Sequence, residues 1–312
     1  MIVLLVTCLV ALLSPSVHGV DWCYQKPECN FTTWPTIATQ FCNGSKQSPI
    51  NIVTASVQGN ANLTSFNFTG FDDNSTFLNI MNSDGSVVAN LNSSKLAVQG
   101  GDLPGLYNPT QVSIHWGNGS SSNGSEHTVD GKQYPMELQI LSVHSKYNGN
   151  MSAALAANDS TGLAVFSFFI EGTQQNQTNI WVNLTSILQI ISRPGAKIPI
   201  PIPVTLNSLL EGVDRTKYYR YQGSLTTPTC NEVVIWTVFK QTISVNQNLI
   251  NRFSTDLFSN VEGPALMTNN FRGVQPLNGR NVTSQVVNST APSSVATSTL
   301  SIITVLLLSS LF

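Results

Sequence analysis

The chain has 312 residues, long enough for one large domain or two ordinary ones and for a sizeable core. Charged residues make up only 10%, against about 25% in an average globular chain, and 14 Lys/Arg nearly cancel 16 Asp/Glu. So sparse and balanced a charge excludes a nucleic-acid surface or a patch for anionic membranes.

In chain order, residues 1–19 come first as a predicted secretory signal peptide. An apolar run from Ile2 to Leu13 is followed by the Ser14-Pro15 break and by Val17-His18-Gly19, which has small residues near a plausible cleavage point. The run is too short to span a bilayer. Of the five cysteines, Cys8 leaves with this segment, and Cys23, Cys29, Cys42 and Cys230 remain. Four thiols in a secreted chain imply two disulfides, and spacing alone leaves three pairings open.

Short segments rich in β-branched and aromatic residues then recur between Asn, Gly, Ser and Asp clusters, which predicts strands. Ser65–Thr69 is one; Gly162–Ile170 and Val233–Phe239 are continuous apolar runs, as for central strands buried on both faces. Two helices are predicted. One lies within Thr178–Ser192, with apolar residues at Ile180, Val182, Leu184, Ile187, Leu188 and Ile191 and a stop before Pro194. A shorter one is placed at Ser254–Asn260. The pattern has no linker or internal repeat, so a single β-dominated domain of the α+β class is expected over residues 20–288.

Asn-x-Ser/Thr triplets occur at Asn30, Asn43, Asn62, Asn67, Asn74, Asn92, Asn118, Asn123, Asn150, Asn158, Asn176, Asn183 and Asn281, and again at Asn288. Spread so densely, they read as a glycan-coated extracellular surface. Residues 289–312 are expected to be a removable lipid-attachment signal. A small and polar stretch precedes an apolar tail, Leu300–Phe312, with no Lys or Arg behind it, and attachment is expected between Asn288 and Ser293. The expected location is therefore the outer face of the plasma membrane, GPI-anchored, with secretion as the alternative.

Gln111-Val-Ser-Ile-His-Trp-Gly117, Gly124-Ser-Glu-His-Thr-Val-Asp-Gly131 and Glu137-Leu-Gln139 resemble the zinc-site segments of the alpha-carbonic anhydrases. The resemblance extends over the body of the chain. It starts at Trp22-Cys-Tyr24 and Gln47-Ser-Pro-Ile-Asn51, continues through Tyr218–Cys230 and Trp236-Thr-Val-Phe239, and closes at Phe271–Leu277, most like the secreted, lipid-anchored branch. It implies a ten-stranded, mostly antiparallel twisted sheet with peripheral short helices and a conical cavity. It also implies the disulfides Cys23–Cys29 and Cys42–Cys230.

The family's chemistry needs three imidazoles around zinc, which lowers the pKa of bound water to about 7. By resemblance, the three ligand positions fall on Ser113, His115 and Gln139, so one histidine remains. Residues two apart on a strand share a face, so Ser113 and His115 point the same way. Recruiting His144 in place of Gln139 would need an odd register slip that turns its strand inside out, and it is read as a strand-end histidine. His127 matches a buried structural position. A serine hydroxyl and a glutamine amide oxygen are poor zinc donors.

The family's proton-shuttle histidine aligns with Gly85, which carries no proton. Thr226 and Glu126 match the pair that orients the zinc-bound hydroxide, and Glu137 and Gln111 match the outer shell of the ligands. Leu141, Val165, Leu225, Thr227, Val234 and Trp236 match the cavity wall. Thr226, Glu126, Glu137 and the wall are read first as a packed and hydrogen-bonded core, since buried polar groups without partners are costly; a working cavity is the other reading. Ser113, His115 and Gln139 are then expected to line a metal-free polar pocket filled with ordered water, where a small anion or neutral ligand is the alternative occupant. The expected function is a catalytically inactive cell-surface glycoprotein acting as a binding or recognition module, with no cofactor. Its partner, an extracellular protein or small ligand, is not named by the sequence. The alternatives are an active zinc enzyme hydrating CO2 with an unusual ligand set, or a matrix- or mineral-associated role, against which the low charge argues.

Overall fold

The computed structural model describes residues 22–176, 180–259 and 265–286. The predicted leader at 1–19 and the attachment signal at 289–312, with Asn288, lie outside them. The domain is mainly β. Its largest sheet has thirteen strands among the described residues, ten of them on one hydrogen-bonded path. The middle of that path runs Phe77–Asn82, Val87–Leu91, Tyr107–Trp116, Met136–His144, Leu163–Thr173, Val234–Phe239 and Tyr218–Gly223. These neighbours are antiparallel except for Leu163–Thr173 beside Val234–Phe239, which run parallel. The sheet is open and not closed into a barrel.

Period-2 alternation sorts the central strands into two faces. Val112, Ile114 and Trp116, with Leu138, Ile140, Phe166 and Phe168, enter the larger apolar core. The intervening residues, Gln111, Ser113 and His115 on one strand and Glu137, Gln139 and Leu141 on the next, face the other way. The register fixes their neighbours, since Ser113 lies directly across from Gln139 and His115 across from Glu137. On its other side, Gln139 faces Ser167.

The strand expected at Ser65–Thr69 is Phe66–Thr69, that at Gly162–Ile170 runs Leu163–Thr173, and the third is Val234–Phe239. The first helix is α over Ile180–Ser186 and tightens to 3-10 over Leu188–Ile191; residues 177–179 are outside the described set. The second prediction needs correction. The helix is Gln247–Asp256, after which the chain turns extended at Phe258–Ser259. Asn246 caps it by accepting the Asn248 N–H, and Ile250 and Phe253 bury its apolar face. The Asn246 cap was the overlooked start signal.

Disulfides join Cys23 to Cys29 and Cys42 to Cys230. Cys42 and Cys230 are buried against Trp34 and Ala38. The long bridge thereby ties the N-terminal segment to the loop following Tyr218–Gly223. None of the thirteen Asn-x-Ser/Thr asparagines up to Asn281 is buried; Asn30 and Asn92 are half-buried and the others exposed.

Candidate functional site

A cavity of about 330 Å³ opens on the polar face of the central strands. Its floor includes Ser113, His115, Gln139 and Thr226, and its sides include Gln111, Leu141, Val165, Leu225, Thr227 and Trp236. The sequence-matched Val234 is absent from this lining and sits fully buried in the neighbouring apolar core. Trp22, Tyr24, Ser83, Ser86, Val88, Met151, Leu155, Pro228 and Thr229 also line the space and were not foreseen. Trp22 and Tyr24 lie in the first matched segment, but only their packing reveals them as wall.

His115 is 3% exposed. Its Nδ1 lies 2.8 Å from the Asn270 carbonyl oxygen, which can only accept, so in the neutral ring Nδ1 is the protonated nitrogen and Nε2 keeps the lone pair. Gln139, 6% exposed, donates from Nε2 to Glu126 Oε2 at 2.8 Å and to Glu137 Oε1 at 3.0 Å. Both partners are carboxylates, which fixes the nitrogen on their side and leaves Oε1 as the remaining polar atom of that amide.

Glu137 is completely buried. Its Oε2 accepts the backbone N–H groups of Glu126 and His127 at 3.0 and 2.8 Å. Its Oε1 accepts Ser167 Oγ at 2.6 Å and His127 Nδ1 at 2.9 Å besides Gln139. Burial pushes the carboxyl pKa up, but attraction to His127 and the hydrogen bonds from His127 and Ser167 outweigh it and hold the value at about 2. His127 Nε2 lies 2.6 Å from the Tyr221 hydroxyl, itself 2.9 Å from Ser48 Oγ. His127 is thus enclosed in a buried structural network.

Glu126 is likewise committed, since Oε1 accepts the Arg272 backbone N–H at 3.0 Å and Oε2 accepts Gln139. Among the described residues no hydrogen bond joins it to Thr226. The Arg272 guanidinium stacks 5.5 Å from the Trp34 ring and donates to Gln47 Oε1 and the Ser48 carbonyl. Burial lowers its pKa to about 10, partly offset by Glu126.

Gly85 faces the cavity from the turn between two strands. A Cβ built there would sit 3.2 Å from Trp22 Cη2 and 3.5 Å from Tyr24 Cε2. The aromatic pair, edge-on to each other and to Trp34, packs close over position 85, so a side chain there would need the Trp22 ring to give by a few tenths of an ångström. His144 stands at its strand end against the Tyr107 ring and is not among the cavity-lining residues. Burial and then Lys146 lower its pKa.

Zinc fits this donor set poorly. The floor offers one free imidazole nitrogen, hydroxyls and a neutral amide whose nitrogen is bound to two carboxylates, and borderline-soft zinc prefers nitrogen or thiolate donors. Among the described residues no group of three His, Cys, Asp or Glu is placed to hold a metal.

The fold and the arrangement of this polar floor are those of a carbonic anhydrase domain, and the comparisons agree. The family model for eukaryotic-type carbonic anhydrase matches residues 29–286. Carbonic anhydrase 4 of Rattus norvegicus is 35% identical over 286 residues, covering 89% of each chain. Carbonic anhydrase 15 of Mus musculus is 34% identical, covering 88% of this chain and 86% of its own. Carbonic anhydrase 12 of Homo sapiens is 37% identical, covering 85% and 73%. The chain belongs to the eukaryotic-type carbonic anhydrase family. Among the described residues no helix is long and apolar enough to cross a membrane.

Proposed function

We propose that this family member does not hydrate CO2 and serves as a glycosylated binding module at the outer cell surface, held there by a lipid anchor. The observation that carries the reading is the Gln139 amide, whose nitrogen donates to Glu126 and Glu137. At the position of a metal ligand, this side chain is engaged as a structural donor between two carboxylates. Opposite it, Ser113 presents a hydroxyl in place of a second imidazole. Without three strong donors, no hydroxide nucleophile is generated near neutral pH. The cavity itself stays open and walled by apolar side chains, which suits recognition of a small molecule or of a partner's protruding side chain.

The outer-surface part is supported by the absence of burial at every described Asn-x-Ser/Thr asparagine and by two disulfides. Stopped-flow CO2 hydration by the purified ectodomain tests the catalytic part, with a rate no greater than buffer expected; a sulfonamide-sensitive rate would refute it. Release from intact cells by a phosphatidylinositol-specific phospholipase tests the anchor, and retention after treatment counts against it.

A further inference from the structure

The cavity floor presents two groups that only accept, at His115 and Gln139, and two hydroxyls, at Ser113 and Thr226. In the neutral imidazole of His115, Nε2 keeps its lone pair because Nδ1 donates to the Asn270 carbonyl. Gln139 has only its carbonyl oxygen left because both carboxylates take its nitrogen. The Ser113 and Thr226 hydroxyls each accept and supply one proton apiece. None of these four atoms has a protein hydrogen-bond partner among the described residues, although all four residues line the cavity and are at least nine-tenths buried. Directly beneath lie the Glu126 and Glu137 carboxylates.

We infer that the cavity binds a protonated primary amine carrying a small apolar body. The inference rests on the binding-module reading above. An ammonium brings three donors and no acceptor, which complements lone pairs at His115, Gln139 and the two hydroxyls. Its charge is drawn toward the buried carboxylates and toward the Trp22 and Tyr24 rings in the cavity lining. Its apolar part lies against Leu141, Val165, Leu225 and Trp236. A small anion, one of the ligands expected from the sequence, would find donors only in the Ser113 and Thr226 hydroxyls and would face the lone pairs of His115 and Gln139, with Glu126 and Glu137 behind them partly balanced by Arg272 and His127. Buried polar atoms left facing the wrong partner are what give such a site its discrimination.

The test is calorimetric titration of the full ectodomain at neutral pH with benzylamine, which is protonated there, with benzyl alcohol as the neutral analogue and benzoate as the anion. Saturable benzylamine binding at least about tenfold tighter than benzoate is expected, with the alcohol between them. Thr226→Val and Ser113→Ala each remove a hydroxyl with no protein partner. Each is expected to weaken benzylamine by about tenfold without changing the fold's melting behaviour. Benzoate binding as tightly as the amine, no saturable amine binding, or unchanged affinity in both variants would overturn the inference. Failure of the underlying reading is separately visible. A zinc-containing, CO2-hydrating protein refutes both, whereas a metal-free, inactive protein that prefers benzoate refutes only the amine.

Discussion

Gln139 Nε2 lies 2.8 Å from Glu126 Oε2, and this contact settles which way the amide points. The same nitrogen reaches Glu137, so one neutral side chain satisfies an acceptor on each of two buried carboxylates. Gln139→Leu keeps approximate volume but removes both donors. Burying an acceptor without its partner costs about 1 to 3 kcal/mol, so a drop in chemical-denaturation stability of that order or more is expected. An unchanged midpoint would mean the two bonds contribute nothing.

Glu137 makes stability depend on acid. Its folded pKa of about 2 lies below the ordinary 4.5. The stabilisation is therefore fully present above about pH 4.5 and is lost as pH falls toward about 2. The difference corresponds to about 3 kcal/mol by linkage. Glu137→Gln is expected to be less stable at pH 7 and to show a shallower loss between pH 4.5 and 2 than the wild type, as read by melts across pH. Parallel curves for the two proteins would contradict the assignment.

The two disulfides should differ in weight. Cys42–Cys230 closes a sequence separation of 188 residues and Cys23–Cys29 one of 6. Loop-closure entropy gives about 5 kcal/mol for the long bridge and about 2 for the short one. Cys42→Ala with Cys230→Ala is expected to lower the melting temperature more than Cys23→Ala with Cys29→Ala, in the same assay. The reverse order would show that the short bridge does more than tether its own loop.

Ser113→His with Gln139→His rebuilds a three-imidazole set, because Ser113 is two residues from His115 on one face and directly opposite Gln139. The double variant is expected to take up about one zinc per chain and to hydrate CO2 slowly. Position 85, where the family's shuttle histidine aligns, is a glycine and carries no proton, so the rebuilt site lacks that relay. Failure to take up zinc would mean that the strand geometry no longer brings the three positions together.

Much of this site was legible in sequence because it rests on strand parity. Ser113, His115, Glu137 and Gln139 alternate with Val112, Ile114, Leu138 and Ile140, and the regular pairing from Met136 to Leu141 keeps the two sets on opposite faces. The long apolar runs likewise marked the central strands. Less legible was anything set by distant chain. The placement of Trp22 over Gly85 joins residues more than sixty apart, and the commitment of Glu126 to Arg272 and Gln139 in place of Thr226 is a matter of side-chain competition. Val234 shares a strand with Trp236 yet is packed in the core and does not line the cavity. The helix expected at Ser254–Asn260 starts earlier, at Gln247, where the Asn246 side chain caps it.

The most direct test of the central claim is the zinc content of the wild-type ectodomain, purified without added metal and measured by elemental analysis. A cavity floor of one free imidazole nitrogen, two hydroxyls and an amide held by carboxylates predicts zinc far below one equivalent per chain. Zinc near one equivalent would contradict the account.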